Sequence, residues 1–179
     1  MMKLIFAVAA AMLLLSCTPA ASGDYNDDLE TSRAVIRRVF DGGTVEVEFM
    51  ENRRPKGAGQ TETLRLIGVE ADPYSTAPGA VCSTWAEAAA QYIGRYKDGG
   101  SVYVQTDSIA GSRDAAGRLN AYIWFDDSEE RLLNEDLIAA GLVRFRSMPM
   151  DSWISGRLSE AEKQAKKKHT GRWHDWNEF

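Results

Sequence analysis

The chain has 179 residues, with 21 Lys+Arg against 26 Asp+Glu, a formal net charge of −5, and 44% hydrophobic and 26% charged residues. These values exclude a fully disordered chain, a collagen-like repeat and a multi-pass membrane protein, and the length suits one domain plus a tail. Two cysteines and two histidines are too few for a disulfide framework or a histidine-rich metal cage, and the acidic balance opposes a dedicated nucleic-acid binder, whose surface is ordinarily basic.

Lys3 is followed by an unbroken apolar run from Leu4 to Leu15. A membrane-spanning helix needs about 20 such residues, so this shorter run reads as the core of an export signal. Leu14-Leu15-Ser16-Cys17 resembles a bacterial lipobox. That resemblance implies a signal peptide over 1–16, cleavage before Cys17 and a lipid on its thiol, anchoring the chain to a bacterial membrane (the outer one in a Gram-negative cell). A plain signal peptide cut near Ala20-Ala21, giving a periplasmic or secreted protein, is the alternative. Residues 17–32 are polar and acidic and read as a flexible tether. With Cys17 lipidated, Cys82 has no partner in its own chain and reads as a buried, inert thiol, with a reactive or intermolecular thiol as the alternative.

The folded domain spans 33–173, with a short tail over 174–179. Val45, Val47 and Phe49 alternate with Glu46 and Glu48, the period of a half-buried strand. Asp41-Gly42-Gly43 joins that strand to a preceding one by a tight turn. Leu64 to Ile67 forms a third strand. Trp85, Ala88, Ala89, Tyr92, Ile93 and Tyr96 fall on one helical stripe, with Thr84 and Glu87 as a capping box. Val102 and Val104, then Ala121 to Phe125, give two more strands. Asn134 caps a short helix ended by Gly141, and a last helix carries Leu158, Ala161 and Ala165. The order of three strands, helix, two strands and two helices predicts an α+β fold: a five-stranded barrel of the oligonucleotide-binding type with three α-helices.

Five phrases sharpen this reading: Val39-Phe40-Asp41-Gly42-Gly43-Thr44-Val45, Leu64-Arg65-Leu66-Ile67-Gly68-Val69, Ala116-Gly117-Arg118-Leu119-Asn120-Ala121-Tyr122, Leu133-Asn134 through Ala140-Gly141-Leu142, and Ala165 to Gly171-Arg172-Trp173. In that order and spacing they resemble the staphylococcal nuclease family. The resemblance implies hydrolysis of DNA and RNA phosphodiesters with calcium. In that chemistry two arginines clamp the phosphate, carboxylates hold the hard cation and a glutamate acts on water as general base.

Carried over residue by residue, the roles divide. Arg65 and Arg118 fall on the two phosphate arginines. The turn's metal aspartate falls on Gly43, the second metal aspartate on Glu70, and the neighbouring threonine on Ala71. The base position is Pro73, which leaves Asp72 as a substitute base and Asp41 as a weak substitute ligand. The lysine and tyrosine before the second arginine fall on Ala115 and Ala116, and the base-stacking tyrosines fall near Ser147 and Pro149. The expectation is therefore a catalytically degenerate module that binds an anionic ligand or a protein partner. The alternative is a divalent-metal nuclease acting on extracellular DNA or RNA, with Glu70, Asp72 and Asp41 rearranged: Glu70 and, weakly, Asp41 toward calcium, and Asp72 as the substitute base. The basic stretch Arg157, Lys163, Lys166, Lys167, Lys168 and Arg172 reads either as a solvated helix face or as a surface for nucleic acid or anionic lipid. Net negative charge weighs against nucleic acid.

Overall fold

A computed structural model describes residues 31–50, 58–78, 80 and 82–174. The expected signal segment, Cys17, most of the tether and the tail beyond His174 lie outside the described residues. The elements are β1 (Ser32–Asp41), β2 (Thr44–Phe49), β3 (Thr61–Leu66), β4 (Val69–Glu70), α1 (Thr84–Gly94), β5 (Val102–Gln105), β6 (Leu119–Trp124), α2 (Leu133–Ala139), β7 (Arg144–Phe145), α3 (Ser152–Lys167) and a closing 3-10 turn (Gly171–Trp173).

Five strands close a barrel in the order β1-β2-β3-β6-β5. β3 and β6 run parallel and every other neighbouring pair is antiparallel. The alternation of β2 does what the sequence dictates: Val45, Val47 and Phe49 are buried while Glu46 and Glu48 lie at the surface edge. In β1 the buried face is Ser32, Ala34 and Ile36, and register shifts after Ile36 and Val39 bend the strand into the Asp41–Thr44 turn. The barrel interior continues into one core with Leu64, Leu66, Ile123, Leu133, Leu137, Val143 and Leu158. β4 and β7, which the sequence pattern does not reveal because each is two residues long, pair with each other outside the barrel.

Three local expectations shift. The α1 cap is Ser83, whose hydroxyl accepts from Ala86 N at 3.0 Å, rather than Thr84. Trp85 is only half-buried, because α1 turns Ala86, Ala89, Ala90 and Ile93 to the core. Asn134 is not a cap, since Leu132 holds that position. Its buried amide accepts from Ile123 N at 3.2 Å and donates to Ile67 O at 2.9 Å. That bridge fixes the end of β3 against β6, and so fixes the two strands that carry Arg65 and Asn120.

The last turn seats on α2. Gly141 and Gly171 both take positive φ, 63° and 58°, and a Cβ on Gly171 would stand 2.5 Å from Ala140 O and 2.6 Å from Gly141 O. Arg172 N donates to Gly141 O at 3.0 Å. Only a residue without a side chain fits there.

Candidate functional site

The two arginines singled out by the sequence meet at the open end of β3 and β6. Arg65 pairs in register with Thr44 and Asn120, and Arg118 ends the turn that enters β6. The Arg118 guanidinium is anchored by Asp114, with Nε and Nη2 each 2.7 Å from Oδ2, while Nη1 donates to Thr44 Oγ1 at 3.1 Å. Asp114 Oδ1 in turn accepts from Arg118 N at 2.9 Å and Ala116 N at 3.0 Å. Burial alone would push the Asp114 pKa up, but these hydrogen bonds and the Arg118 charge hold it below the ordinary carboxylate value.

Arg65 behaves differently. Its Nη1 donates to Gly43 O at 3.0 Å and its Nη2 to Val69 O at 2.7 Å. The guanidinium lies against Gly43 so closely that a Cβ there would collide with Nη1. The absent side chain at position 43 is therefore what admits the Arg65 head. Burial lowers the Arg65 pKa, and the neighbouring Arg118 and Arg146 push in the same direction against Asp41 and Asp114.

These groups line a cavity of about 270 Å³ that also includes Arg113, Asn120, Arg146 and Met148. Arg113 forms a two-point pair with Glu62, at 3.1 and 2.9 Å, and donates to Gly117 O at 2.6 Å. Arg146 follows β7, its backbone held by Gly68 O at 2.9 Å. Its exposed side chain has no hydrogen-bond partner among the described residues. Four guanidinium groups thus face one cavity whose only lining carboxylate, Asp114, is committed to Arg118. Sequence reasoning missed Arg113 and Arg146. The Arg144-Phe145-Arg146 alternation was the available signal for the second, since it presents two arginines from one short strand and its exit.

Asp41, Glu70 and Asp72 do not line this cavity, and Glu70 and Asp72 meet Arg144 instead. Asp41 Oδ1 accepts from Gly43 N at 2.6 Å, closing its own turn. Glu70 is half exposed and pairs loosely with Arg144 at 3.4 Å. Asp72 Oδ2 accepts from Ser83 Oγ at 2.7 Å and Arg172 Nη2 at 2.6 Å, and Oδ1 lies 3.5 Å from Arg144. Burial opposes ionisation of Asp72, but these partners outweigh it and hold its pKa low. A carboxylate so stabilised is a poor proton acceptor.

Elsewhere, Cys82 is half-exposed rather than buried, because its thiol bridges its own loop: Sγ accepts from Ser75 N at 3.1 Å and donates to Ser75 O at 3.2 Å. Most of the basic stretch is internally paired. Arg157 meets Glu135, Lys163 meets Glu160, Lys166 meets Glu162 and Arg172 meets Asp72.

With this geometry in view, comparison with known proteins decides the family. A family model described as staphylococcal nuclease homologue matches residues 63–175. The chain belongs to the staphylococcal nuclease homologue family. A thermonuclease from Staphylococcus intermedius is 27% identical over 146 residues, covering 82% of this chain and 79% of that protein. A thermonuclease from Staphylococcus hyicus is 27% identical over 172 residues, covering 93% of each. The staphylococcal nuclease fold is thus present from barrel to closing tryptophan.

The calcium expected from the resemblance does not fit this nuclease homologue's donor set. Calcium takes six to eight oxygens, with affinity rising with ligand charge. Among the described residues no three His, Cys, Asp or Glu side chains form a group able to hold a metal ion. The carbonyls of Gly43 and Val69, hard oxygens that suit a cation, are already bonded to the Arg65 guanidinium.

Proposed function

We propose that this chain is a nuclease-fold module that binds an anion of the phosphate class in its arginine cavity and is severely impaired in metal-dependent hydrolysis. The observation that carries this reading is the position of Arg65, whose positive head occupies the turn where Gly43 lacks a carboxylate and is bonded to the carbonyl oxygens of Gly43 and Val69. Arg118, oriented by Asp114, can offer an anion the in-plane N–H groups that Asp114 and Thr44 leave unused, and Arg146 adds a cation with no carboxylate partner among the described residues. Guanidinium groups in a fork geometry suit phosphate oxygens. Hydrolysis further needs a group that takes a proton from water, and loss of a general base typically costs 10²–10⁴-fold. Asp72 is engaged by Ser83, Arg172 and Arg144, and Pro73 has no ionisable atom.

A second reading, a working phosphodiester nuclease, is favoured by the thermonuclease relatives. One experiment separates the two: single-stranded DNA is incubated with the purified protein in calcium and then in chelator, while inorganic phosphate binding is measured by calorimetry. The degenerate reading expects phosphate binding that weakens in Arg118→Ala, with no chelator-sensitive cleavage. Cleavage that requires calcium and disappears in Arg118→Ala overturns it. The double substitution Gly43→Asp, Pro73→Glu restores a carboxylate at each position and should bring back calcium-stimulated cleavage, provided Arg65 swings clear of the new side chain.

The same proposal places the module outside the cytoplasm, held to a membrane by lipid on Cys17. Radiolabelled palmitate should enter the wild-type chain in a bacterial host and not Cys17→Ser. Incorporation into the variant would refute the anchor.

A further inference from the structure

A second cavity, of about 320 Å³, is lined by Asp107, Ile109, Tyr122, Glu129, Asp151 and Trp153, among others. It shares no lining residue with the arginine cavity. Three large apolar side chains are exposed among the described residues, and two of them, Ile109 and Trp153, each 59% exposed, border this one cavity. Scattered apolar residues on a surface need no explanation, but their concentration at the mouth of a preformed cavity marks a binding site.

The walls are held rigidly. Asp107 is 3% exposed and all its acceptor capacity is used: Oδ1 takes Ile109 N at 2.8 Å and Ala110 N at 3.2 Å, and Oδ2 takes Tyr122 Oη at 2.7 Å and Asp151 N at 2.8 Å. It ties the β5–β6 loop, β6 and the start of α3 into one frame. Glu129 and Asp151 each keep one carboxylate oxygen without a hydrogen bond among the described residues. Glu129 Oε1 meets Gln105 Nε2 at 3.3 Å, and Asp151 Oδ1 caps α3 through Trp153 N and Ile154 N. No Lys or Arg lines the cavity. Arg157 does not line the cavity but stands beside it in the adjoining groove, 4.9 Å from the Trp153 ring centroid, paired with Glu135 and donating to Glu129 O at 3.5 Å.

We propose that this cavity binds a small organic ammonium ion. The indole of Trp153 and the side chain of Ile109 would cover its apolar body, and Glu129 and Asp151 would face its charge. An aromatic wall beside unspent carboxylate oxygens selects a cation over a neutral or anionic molecule of the same shape. The volume, at the low end for small-ligand cavities, fits one compact amine rather than a folded segment. This inference does not rest on the anion-binding reading of the arginine cavity.

The test is a titration of the full chain with benzylammonium chloride, followed through the tryptophan indole N–H signals by nuclear magnetic resonance. Expected is saturable binding at about millimolar concentration, centred on the Trp153 signal. Benzyl alcohol should bind at least about tenfold more weakly. Trp153→Ala should weaken benzylammonium binding by roughly 5–30-fold, and Glu129→Gln by about threefold or more, while inorganic phosphate binding stays unchanged in both. Because Trp153 is exposed, its loss leaves the core intact, and Ile109→Ser gives a second variant with the same expected direction. Non-saturable shifts, equal binding of benzyl alcohol, or unaltered affinity in Trp153→Ala overturns the proposal. A lysine-containing tripeptide amide that binds more tightly than benzylammonium overturns the small-molecule assignment.

Discussion

Two arginine–carboxylate pairs of the same chemistry play opposite parts in this molecule. Arg118–Asp114 joins residues four apart, with side chains 33% and 21% exposed. Arg172–Asp72 joins residues a hundred apart in the chain, with side chains 7% and 17% exposed. The first pair lines a cavity, and its carboxylate brackets an arginine that is one-third exposed there. The second closes on itself: the Arg172 side chain is buried, with one guanidinium nitrogen lacking a hydrogen-bond partner among the described residues. The two pairs differ in what lies on the far side of the arginine: a cavity for Arg118 and the protein interior for Arg172. A carboxylate in the sealed pair cannot double as a base without abandoning a buried charge.

That contrast can be broken most forcefully at Asp72. Replacing Asp72 with Asn leaves the Arg172 charge buried and unpaired, and should lower unfolding free energy by about 3–5 kcal/mol in urea denaturation. A loss below about 1 kcal/mol would show the pair to be solvated and the contrast false. Acidification sharpens the point. A carboxylate whose folded pKa is depressed contributes stability that is full above its unfolded pKa, near 4, and lost as pH falls through the folded value. The gap between wild type and Asp72→Asn should therefore hold constant from neutral pH to about 4 and shrink below it.

At the open pair the expected effect moves from folding to binding. Arg118→Ala should weaken inorganic phosphate binding by about 10–100-fold, the worth of charged hydrogen bonds, with stability changed by about 1 kcal/mol or less. Arg146→Ala should weaken the same binding by about 3–10-fold and flatten its salt dependence, because a cation without a carboxylate partner acts mainly through its charge. Its effect on stability should stay within about 0.5 kcal/mol. If Arg146→Ala binds phosphate as the wild type does, the anion is held by the anchored arginine alone.

Sequence patterns anticipated the barrel because period-two alternation in β2 and the helical spacing in α1 report burial, the dominant local constraint. They located Arg65 and Arg118 through the phrases around them. They failed where a side chain's partner is distant or its rotamer depends on a neighbour's size. Nothing near Asp72 in the chain announces Arg172, so the aspartate remained a candidate base until the fold joined them. The turn of the Arg65 head into the space above Gly43 follows from a missing side chain 22 residues away. Asn134 sits at a helix start in sequence, yet its amide serves two strands, because a buried polar group must take the backbone partners the fold provides.

The seating of Gly171 against Gly141 has a consequence for truncation. The loop carrying Asp72 is secured by Arg172, the residue next to that glycine, so a chain cut short of Gly171 keeps all five barrel strands and loses this long-range fastening.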